Sequence, residues 1–422
     1  MLSGKKIIIG VSGGIAAYKS AALVSALKQA GADVQVLMTE NAEKFVGRIT
    51  FEALSGHRVI TDTFDSEEYI IPHIAVAKTA DIFMVAPATA DIIAKLANGI
   101  ADDMLTSCFI ASDCPKVIVP AMNVKMYENP ATRENIEKLK RHGITVLDPD
   151  EGHLAEGISA KGKMPEPSVL YRYIEYLVSY GKDLVGKKVV ITAGPTRESL
   201  DPVRFITNRS TGKMGYALAK VAAARGAETV LISGHVNELS DGVNNAVLTG
   251  TGASDGVITP VGVRRIDVES AEDMLKAVKA EYKNADCVIM AAAVADFRPL
   301  AAAKDKIKKD ELPEEEDEKG RKQYILSLER TEDILLWLGK HKKKAQKLVG
   351  FSMETRDLIE NSEKKLTKKN ADMIIANDLN TKGAGFGTDT NVITIIKEDS
   401  ITELPIMTKE EAAAEILDEV FG

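Results

Sequence analysis

A strand–loop–helix–strand pattern written twice constrains this chain more than any other feature. Between Val189 and Gly234, a short apolar run (Val189–Ile191) stops at Ala193-Gly194-Pro195. A polar loop rich in Thr, Arg, Asn and Ser follows. Leu218, Val221 and Ala222 then recur at helical spacing, Gly226 stands where the helix should stop, and Val230–Ile232 forms a second apolar run. This is a βαβ unit whose loop opens a helix, so backbone N–H groups there can hold a phosphate. The N-terminus repeats the plan: Ile7–Ile9, a tight loop Gly10–Gly14, then Leu23, Ala26 and Leu27 on a helix closed by Gly31. Leu23, Leu27 and Gly31 match Leu218, Ala222 and Gly226 at a constant offset of 195, whereas Lys5-Lys6 and Lys187-Lys188 are 182 apart. The second loop is thus 13 residues longer and available for chemistry. Two doubly wound α/β domains are expected, over 1–180 and 181–422, with the join near Gly181. The similarity does not require common descent.

A length of 422 residues suits two or three domains, and 45% hydrophobic residues can fill their cores. The net charge of −8 argues against nonspecific nucleic-acid binding by the whole chain. Only Cys108, Cys114 and Cys287 occur, in no CxxC pair or zinc-ligand spacing, which suggests a reduced, cytosolic setting. No apolar run approaches the ~20 residues that span a bilayer, so a soluble protein without membrane partners is expected.

In the first half, strands are expected at Val34–Met38, Asp81–Ala86 and Val117–Val119, with a helix at Ile92–Asn98 and an amphipathic helix at Val169–Val178. Gly13-Gly14, Thr39, Pro87-Ala88-Thr89 and Pro120–Asn123 all follow strand ends, where open α/β sheets bind ligands. Gly10–Gly14 lacks the full GxGxxG pattern. It reads either as a plain turn or as a single phosphate cradle suited to a mononucleotide. His73, ahead of the alternating segment Ile74–Ala77, is by itself an ordinary structural histidine, and Asn123 an ordinary turn residue.

In the second half, Asn208 in the long loop fits Asx-turn chemistry as well as ligand binding, and Gly212-Lys213 lacks the glycine spacing of a Walker A loop. Asp286–Met290 is a buried strand feeding the small residues Ala291–Ala293. Lys365 and Lys369 lie four apart, on one helix face. Lys342–Lys344 reads as solvated helix. Residues 237–262, glycine-rich at Thr249–Gly256, and the acidic stretch Glu311–Glu318 read as mobile surface insertions.

Three stretches resemble the flavin-dependent cysteine decarboxylases: GVSGGIAAYK, PHIAVAKTADIFMVAPATAD and PAMNVKMYENPATRENIEKL. Downstream, AGPTRESLDPVRFITNRSTGKMG, AAAVADFRP, KIKK and KKNADMIIAND resemble phosphopantothenate–cysteine ligase. In this order they resemble the bifunctional bacterial decarboxylase/ligases of coenzyme A biosynthesis, over nearly the whole chain. The resemblance implies two Rossmann-like domains, the first flavodoxin-like and binding FMN, the second a ligase. Ser12, Gly13, Gly14, Thr39 and Thr89 would hold FMN. His73 would be the base and acid beside the substrate carboxylate, and Asn123 would bind that carboxylate or the adjacent amide. Oxidation of the cysteinyl thiol to a thioaldehyde would provide the electron sink for loss of CO2. In the ligase half, Arg204 would contact the acyl or phosphate group and Asn208 the acyl-nucleotide. Ala291, Ala292 and Asp296 would contact CTP. Lys306 would stabilise charge during formation and breakdown of the acyl-cytidylate. Asp333 and Ile334 would also lie at the nucleotide, where relatives usually show Lys-Thr-Pro-Asp-Ile and this chain reads Arg330-Thr331-Glu332-Asp333-Ile334. Phe351, ending a strand, would pack on the base, and Lys365 and Lys369 would hold the triphosphate. The implied partners are 4'-phosphopantothenate, cysteine, CTP and Mg2+, with no readable metal ligands. The implied assembly is a homo-oligomer of decarboxylase trimers joined by ligase dimers.

The chain departs from the family in its flap. Relatives carry Ala-Cys-Gly and then Gly-Arg-Met; here stand His153-Leu154-Ala155-Glu156-Gly157 and Gly162-Lys163-Met164. Glu156 replaces the proton-donating cysteine. Either a protonated Glu156 donates instead, or turnover stops at the enethiol, or the first domain only scaffolds an active ligase; Glu156 as a plain exposed carboxylate is the fourth reading.

Overall fold

The computed structural model describes residues 2–64, 71–153, 159–236, 259–308, 315–316, 322–323, 326–354, 357–378 and 388–422. The described chain falls into two compact units, meeting in sequence at Gly181 and Lys182.

In the first unit, strands β1 (Lys6–Val11), β2 (Asp33–Met38), β3 (Ile82–Ala88), β4 (Lys116–Pro120) and β5 (Thr145–Val146) form one sheet in the order β2-β1-β3-β4-β5. Every pairing is parallel. Parallel strands need covered crossovers, so both faces are buried and the strands read as continuous apolar runs. Along β1, Ile7, Ile9 and Val11 join one core, with Leu23, Leu27 and Ile174. Ile8 joins the other, with Ile92, Leu105 and Leu139. This is the flavodoxin-like order, whose switch point lies between β1 and β3. A hairpin, β6 (Asp150–His153) with β7 (Ser159–Lys163), extends from the sheet's last strand.

The second unit begins with β8 (Lys188–Ala193), the hairpin β9 (Arg197–Ser199) and β10 (Phe205–Thr207), β11 (Glu228–Ser233), β12 (Val263–Asp267), β13 (Cys287–Met290) and β14 (Phe297–Pro299). There follow β15 (Glu315–Glu316), β16 (Lys322–Gln323), β17 (Leu328–Arg330), β18 (Lys347–Glu354), β19 (Met373–Asp378), β20 (Thr390–Asn391), β21 (Ile393–Ile396), β22 (Ile401–Glu403) and β23 (Met407–Thr408). The main sheet runs β12-β11-β8-β13-β18-β19-β21-β22. Its first six strands are parallel, and β21 and β22 extend it antiparallel. Counted from β8, the parallel part has the Rossmann order 3-2-1-4-5-6, with its switch point between β8 and β13. The two units therefore share their first βαβ crossover but not their full topology.

The structure revises several expectations. Gly10 belongs to β1, so the loop starts at Ser12. His73 opens a helix, Pro72–Thr79, that continues through the segment read as alternating. The long polar loop is folded into the β9–β10 hairpin. Phe351 lies within β18 rather than at its end. The helix before Lys342 stops at His341. Lys342 pairs with Asp372 at 2.7 Å and Lys343 donates to Lys283 O, so this run caps neighbouring elements. Within the acidic stretch, β15 pairs with β16; most of that stretch and residues 237–258 lie outside the described residues. All three cysteines are free, and burial pushes the Cys108 thiol up to about 12. No helix among the described residues is long and apolar enough to cross a membrane.

One glycine sets the spacing of two helices in the second unit. A Cβ on Gly339 would lie 1.8 Å from the Lys369 carbonyl oxygen, and Asn370 Nδ2 donates to Gly339 O at 2.7 Å. Helix Ile334–His341 thus packs directly on the end of helix Leu358–Lys369. Trp337, the single tryptophan, sits on the first of these helices, edge-on to Tyr282 and stacked on His341. Its fluorescence reports this unit alone. Gly339→Ala is expected to lower stability by about 1–3 kcal/mol through overpacking, measured as an earlier urea midpoint of Trp337 fluorescence.

Candidate functional sites

At the first switch point, Ser12 is buried just beyond β1. Its hydroxyl donates to Pro87 O at 2.8 Å and accepts from Thr89 N at 3.0 Å. It lies 3.4 Å from Thr89 Oγ1. Thr89 caps helix Ala90–Asn98 by accepting from Ile92 N, and Thr39 caps Glu40–Glu43 by accepting from Ala42 N. A threonine acting as an acceptor keeps its O–H to donate. Gly13 is pressed against Asn41, where a Cβ would come within 2.5 Å of the Asn41 side chain. Helix Ala17–Gln29 starts at Ala16 with no side-chain cap. Ala17 N and Lys19 N already donate to Gly14 O and Ala16 O, so it is the Ser-Gly-Gly loop leading into this helix start that suits an anion. Small loop residues, donor hydroxyls and an uncapped helix start fit the phosphate end of a mononucleotide such as FMN.

His73 is half-buried, and its Nδ1 is enclosed without a hydrogen-bond partner among the described residues. Asn123 follows β4 and accepts from Lys125 N at 2.7 Å, capping helix Val124–Glu128. The hairpin is tied down nearby: Met122 N donates to Gly162 O, and buried Lys19 donates to Met164 O at 2.9 Å and Glu166 Oε1 at 2.8 Å. Burial raises the pKa of Asp150, against the pull of Lys19 and Lys163. Glu156 lies outside the described residues.

At the second switch point, the loop 291–296 after β13 is pinned from several sides. Ala292 N donates to Thr192 Oγ1 at 3.1 Å and Ala295 N to Thr196 Oγ1 at 3.0 Å. Thr331 Oγ1 donates to Ala295 O at 2.6 Å, and Thr331 N to Asp296 O. Asn208, at the exit of β10, donates through Nδ2 to Ala293 O (3.1 Å) and Val294 O (3.2 Å). Helix Lys213–Ala224 begins at Gly212 with no side-chain cap, a second helix start fitted to an anion.

Arg204, expected to contact substrate, is paired within the protein and keeps a half-exposed side chain. Its Nε and Nη2 donate to Asp201 Oδ2 at 2.9 and 2.6 Å, and Nη2 also reaches Ile307 O at 2.6 Å. Lys306, exposed, is the residue before that contact. Lys365 and Lys369 share a helix face as expected, but each has an internal partner. Lys365 Nζ donates to Phe351 O at 2.8 Å, and Lys369 pairs with Asp333. Asp333 also caps helix Ile334–His341 by accepting from Leu336 N. Burial raises its pKa, but Lys369, the Leu336 amide and Lys365 outweigh that and hold it below the usual carboxylate range. Asn208 and Thr331 thus brace the 291–296 loop from two sides, and Asp333, two residues after Thr331, pairs with Lys369. Ile307, the residue after Lys306, is tied to the β9–β10 hairpin.

Sequence reading missed Asp201, Thr192, Thr196 and Thr331. Asp201-Pro202 is a turn-forming pair that could have drawn attention. The threonines carried no local signal. Among the described residues no group of three or more His, Cys, Asp or Glu could hold a metal ion.

Two doubly wound units, each with polar groups gathered at the carboxyl ends of its strands, define a two-domain α/β protein with a candidate ligand site in each half. Residues 1–179 match the family model described as Flavoprotein, and residues 184–422 match the C-terminal domain of the DNA/pantothenate metabolism flavoproteins. The coenzyme A biosynthesis bifunctional protein CoaBC of Bacillus subtilis is 48% identical, covering 100% of this chain and 97% of its own. The Escherichia coli K12 protein of that name is 38% identical, over 99% and 97%. A solved C-terminal domain of such a protein is 41% identical, with a TM-score of 0.43, covering 56% of this chain and 95% of its own. The FMN-dependent cysteine decarboxylase SpaF is 33% identical, with a TM-score of 0.36, covering 39% and 92%. The chain belongs to the family of bifunctional coenzyme A biosynthesis proteins.

Several acids in the second unit have lowered pKa values: Asp183 beside Arg225, Asp201 beside Arg204, and Glu281 beside Arg264. A depressed carboxylate stabilises the fold above its unfolded pKa, near 4, and loses that contribution as pH falls through the folded value. The urea midpoint at Trp337 should therefore hold between pH 7 and 5 and fall steadily from pH 5 to 3. A midpoint that stays level to pH 3 would contradict these ion pairs.

Proposed function

We propose that the two units run consecutive steps of coenzyme A biosynthesis: amide formation in the second, then decarboxylation in the first. A carboxylate is a poor electrophile, so the ligase unit first attaches the carboxylate of 4'-phosphopantothenate to the α-phosphorus of CTP, releasing pyrophosphate and giving an acyl-cytidylate. The amine of cysteine then displaces CMP. Mg2+ carried by the nucleotide phosphates would supply charge neutralisation there, with no cluster of protein ligands among the described residues. Ala291, Ala292, Asp296, Asp333, Ile334 and Phe351 form the nucleotide side, with Lys365 and Lys369 toward the triphosphate. Asn208 can keep one amide hydrogen on the 293–294 carbonyls and offer its oxygen to the intermediate. Lys306 offsets the charge that develops at the phosphorus. The Asn208 contact over the 291–296 loop, at a switch point, supports this reading most directly.

In the first unit, FMN when bound supplies two-electron chemistry at the cysteinyl thiol. Ser12, Gly13, Gly14, Thr39 and Thr89 hold it. His73 moves protons beside the substrate, its enclosed Nδ1 awaiting a partner, and Asn123 orients the carboxylate that leaves as CO2. Glu156 takes the place of the flap cysteine and donates the last proton. The protein works in the cytoplasm as a homo-oligomer, with decarboxylase trimers joined by ligase dimers.

Mass spectrometry of products from phosphopantothenate, CTP, Mg2+ and cysteine tests both steps. The full chain should yield 4'-phosphopantetheine. His73→Asn should stop at phosphopantothenoylcysteine, with decarboxylation slowed by ~100-fold or more. Lys306→Gln should make neither product. Glu156→Gln should accumulate a product at the oxidised enethiol level; undiminished 4'-phosphopantetheine from this variant would remove Glu156 from the mechanism.

A further inference from the structure

The side chain of Asp201 is fully enclosed at the turn between β9 and β10. Its Oδ1 accepts from the amides of Val203 (2.8 Å) and Arg204 (2.7 Å). Its Oδ2 accepts from Arg204 Nε and Nη2 and from the amide of Ile307 at 3.2 Å. Both backbone polar groups of Ile307 are thereby engaged, the amide by Asp201 and the carbonyl by Arg204. A second strut lies beside them, from Ala303 N to Leu200 O at 2.9 Å. The other end of the same hairpin is fixed to the 291–296 loop directly through Asn208, and indirectly through Thr207 Oγ1, which donates to the carbonyl of Thr196 at 2.8 Å while the Thr196 hydroxyl accepts from Ala295 N.

One short hairpin thus carries Asn208 at its base and grips the residue after Lys306 at its turn. The Lys306 side chain is exposed and long, so its placement depends on where its backbone is held. We infer that Asp201 is a positioning residue of the amide-forming site, setting the distance of Lys306 from Asn208 by clamping Ile307 through its own carboxylate and through Arg204. Arg204 then acts in the same clamp. This rests on the assignment of Lys306 and Asn208 to amide formation.

Asparagine at 201 keeps the shape but replaces one acceptor oxygen with an NH2 group facing N–H donors, which loosens the clamp. The test uses the full chain with CTP, Mg2+ and phosphopantothenate, read as pyrophosphate release. Asp201→Asn should lower kcat by ~100-fold, the scale of a displacement near 1 Å, while leaving KM for CTP within about twofold. Decarboxylation of phosphopantothenoylcysteine supplied directly should be unchanged, because that site lies in the other unit. Arg204→Lys, which leaves the carboxylate and its amide contacts in place, should reproduce the selective loss of kcat and carries the test if the first variant is unstable. Wild-type kcat in both variants would overturn the clamp. So would a kcat loss matched by a rise in KM for CTP and an earlier Trp337 unfolding midpoint, the mark of a purely structural role. Wild-type pyrophosphate release by Lys306→Gln would instead overturn the assignment beneath the inference, and the inference with it.

Discussion

A parallel sheet covered on both faces leaves polar chemistry only its ends, and both units of this protein are built around that restriction. Ile7, Ile9 and Val11 face one core while Ile8 faces the other, so the middle of such a strand has no room for a polar site. Polar groups gather where the strands stop: Ser12 and Thr89 in the first unit, Thr192, Thr196 and Asn208 in the second. The reversal of strand order separates two neighbouring crossovers and opens the crevice in which these groups meet. The family's two coenzyme A reactions share this architectural solution while differing in chemistry.

Much of this was legible before the structure. Buried parallel strands are short and apolar, so Val189–Ile191, Val230–Ile232 and Asp286–Met290 each fell on or within a residue of real strands. Glycines with positive φ at Gly31 and Gly226 marked helix ends correctly. What local pattern could not supply was contact between distant segments. The polar loop's fold into β9 and β10 depends on Asp201 meeting Arg204, and its hold on Ile307 spans more than 100 positions. Likewise His73 was placed by resemblance, while its helix was misread because eight residues of mixed small and apolar side chains carry little periodicity.

The two sites also differ in how they are supported. In the first unit the polar groups at the strand ends are hydroxyls already serving as caps and cross-strand links, which keeps them in place without added charge. In the second, charge is abundant and mutually neutralised within the protein. Arg204 is matched to a buried carboxylate, and Lys369 to Asp333.

That last pairing has a consequence for anion binding. With Lys369 on Asp333 and Lys365 on the Phe351 carbonyl, any anion that comes to this helix face meets cations already engaged. Capture is then an exchange of one partner for another, and the net attraction is smaller than two bare ammonium groups would give. The same exchange runs backward when such an anion departs: the lysines return to their resident partners, and the anion is not retained by a vacated positive charge. Internal competition of this kind trades tightness of capture for speed of discharge.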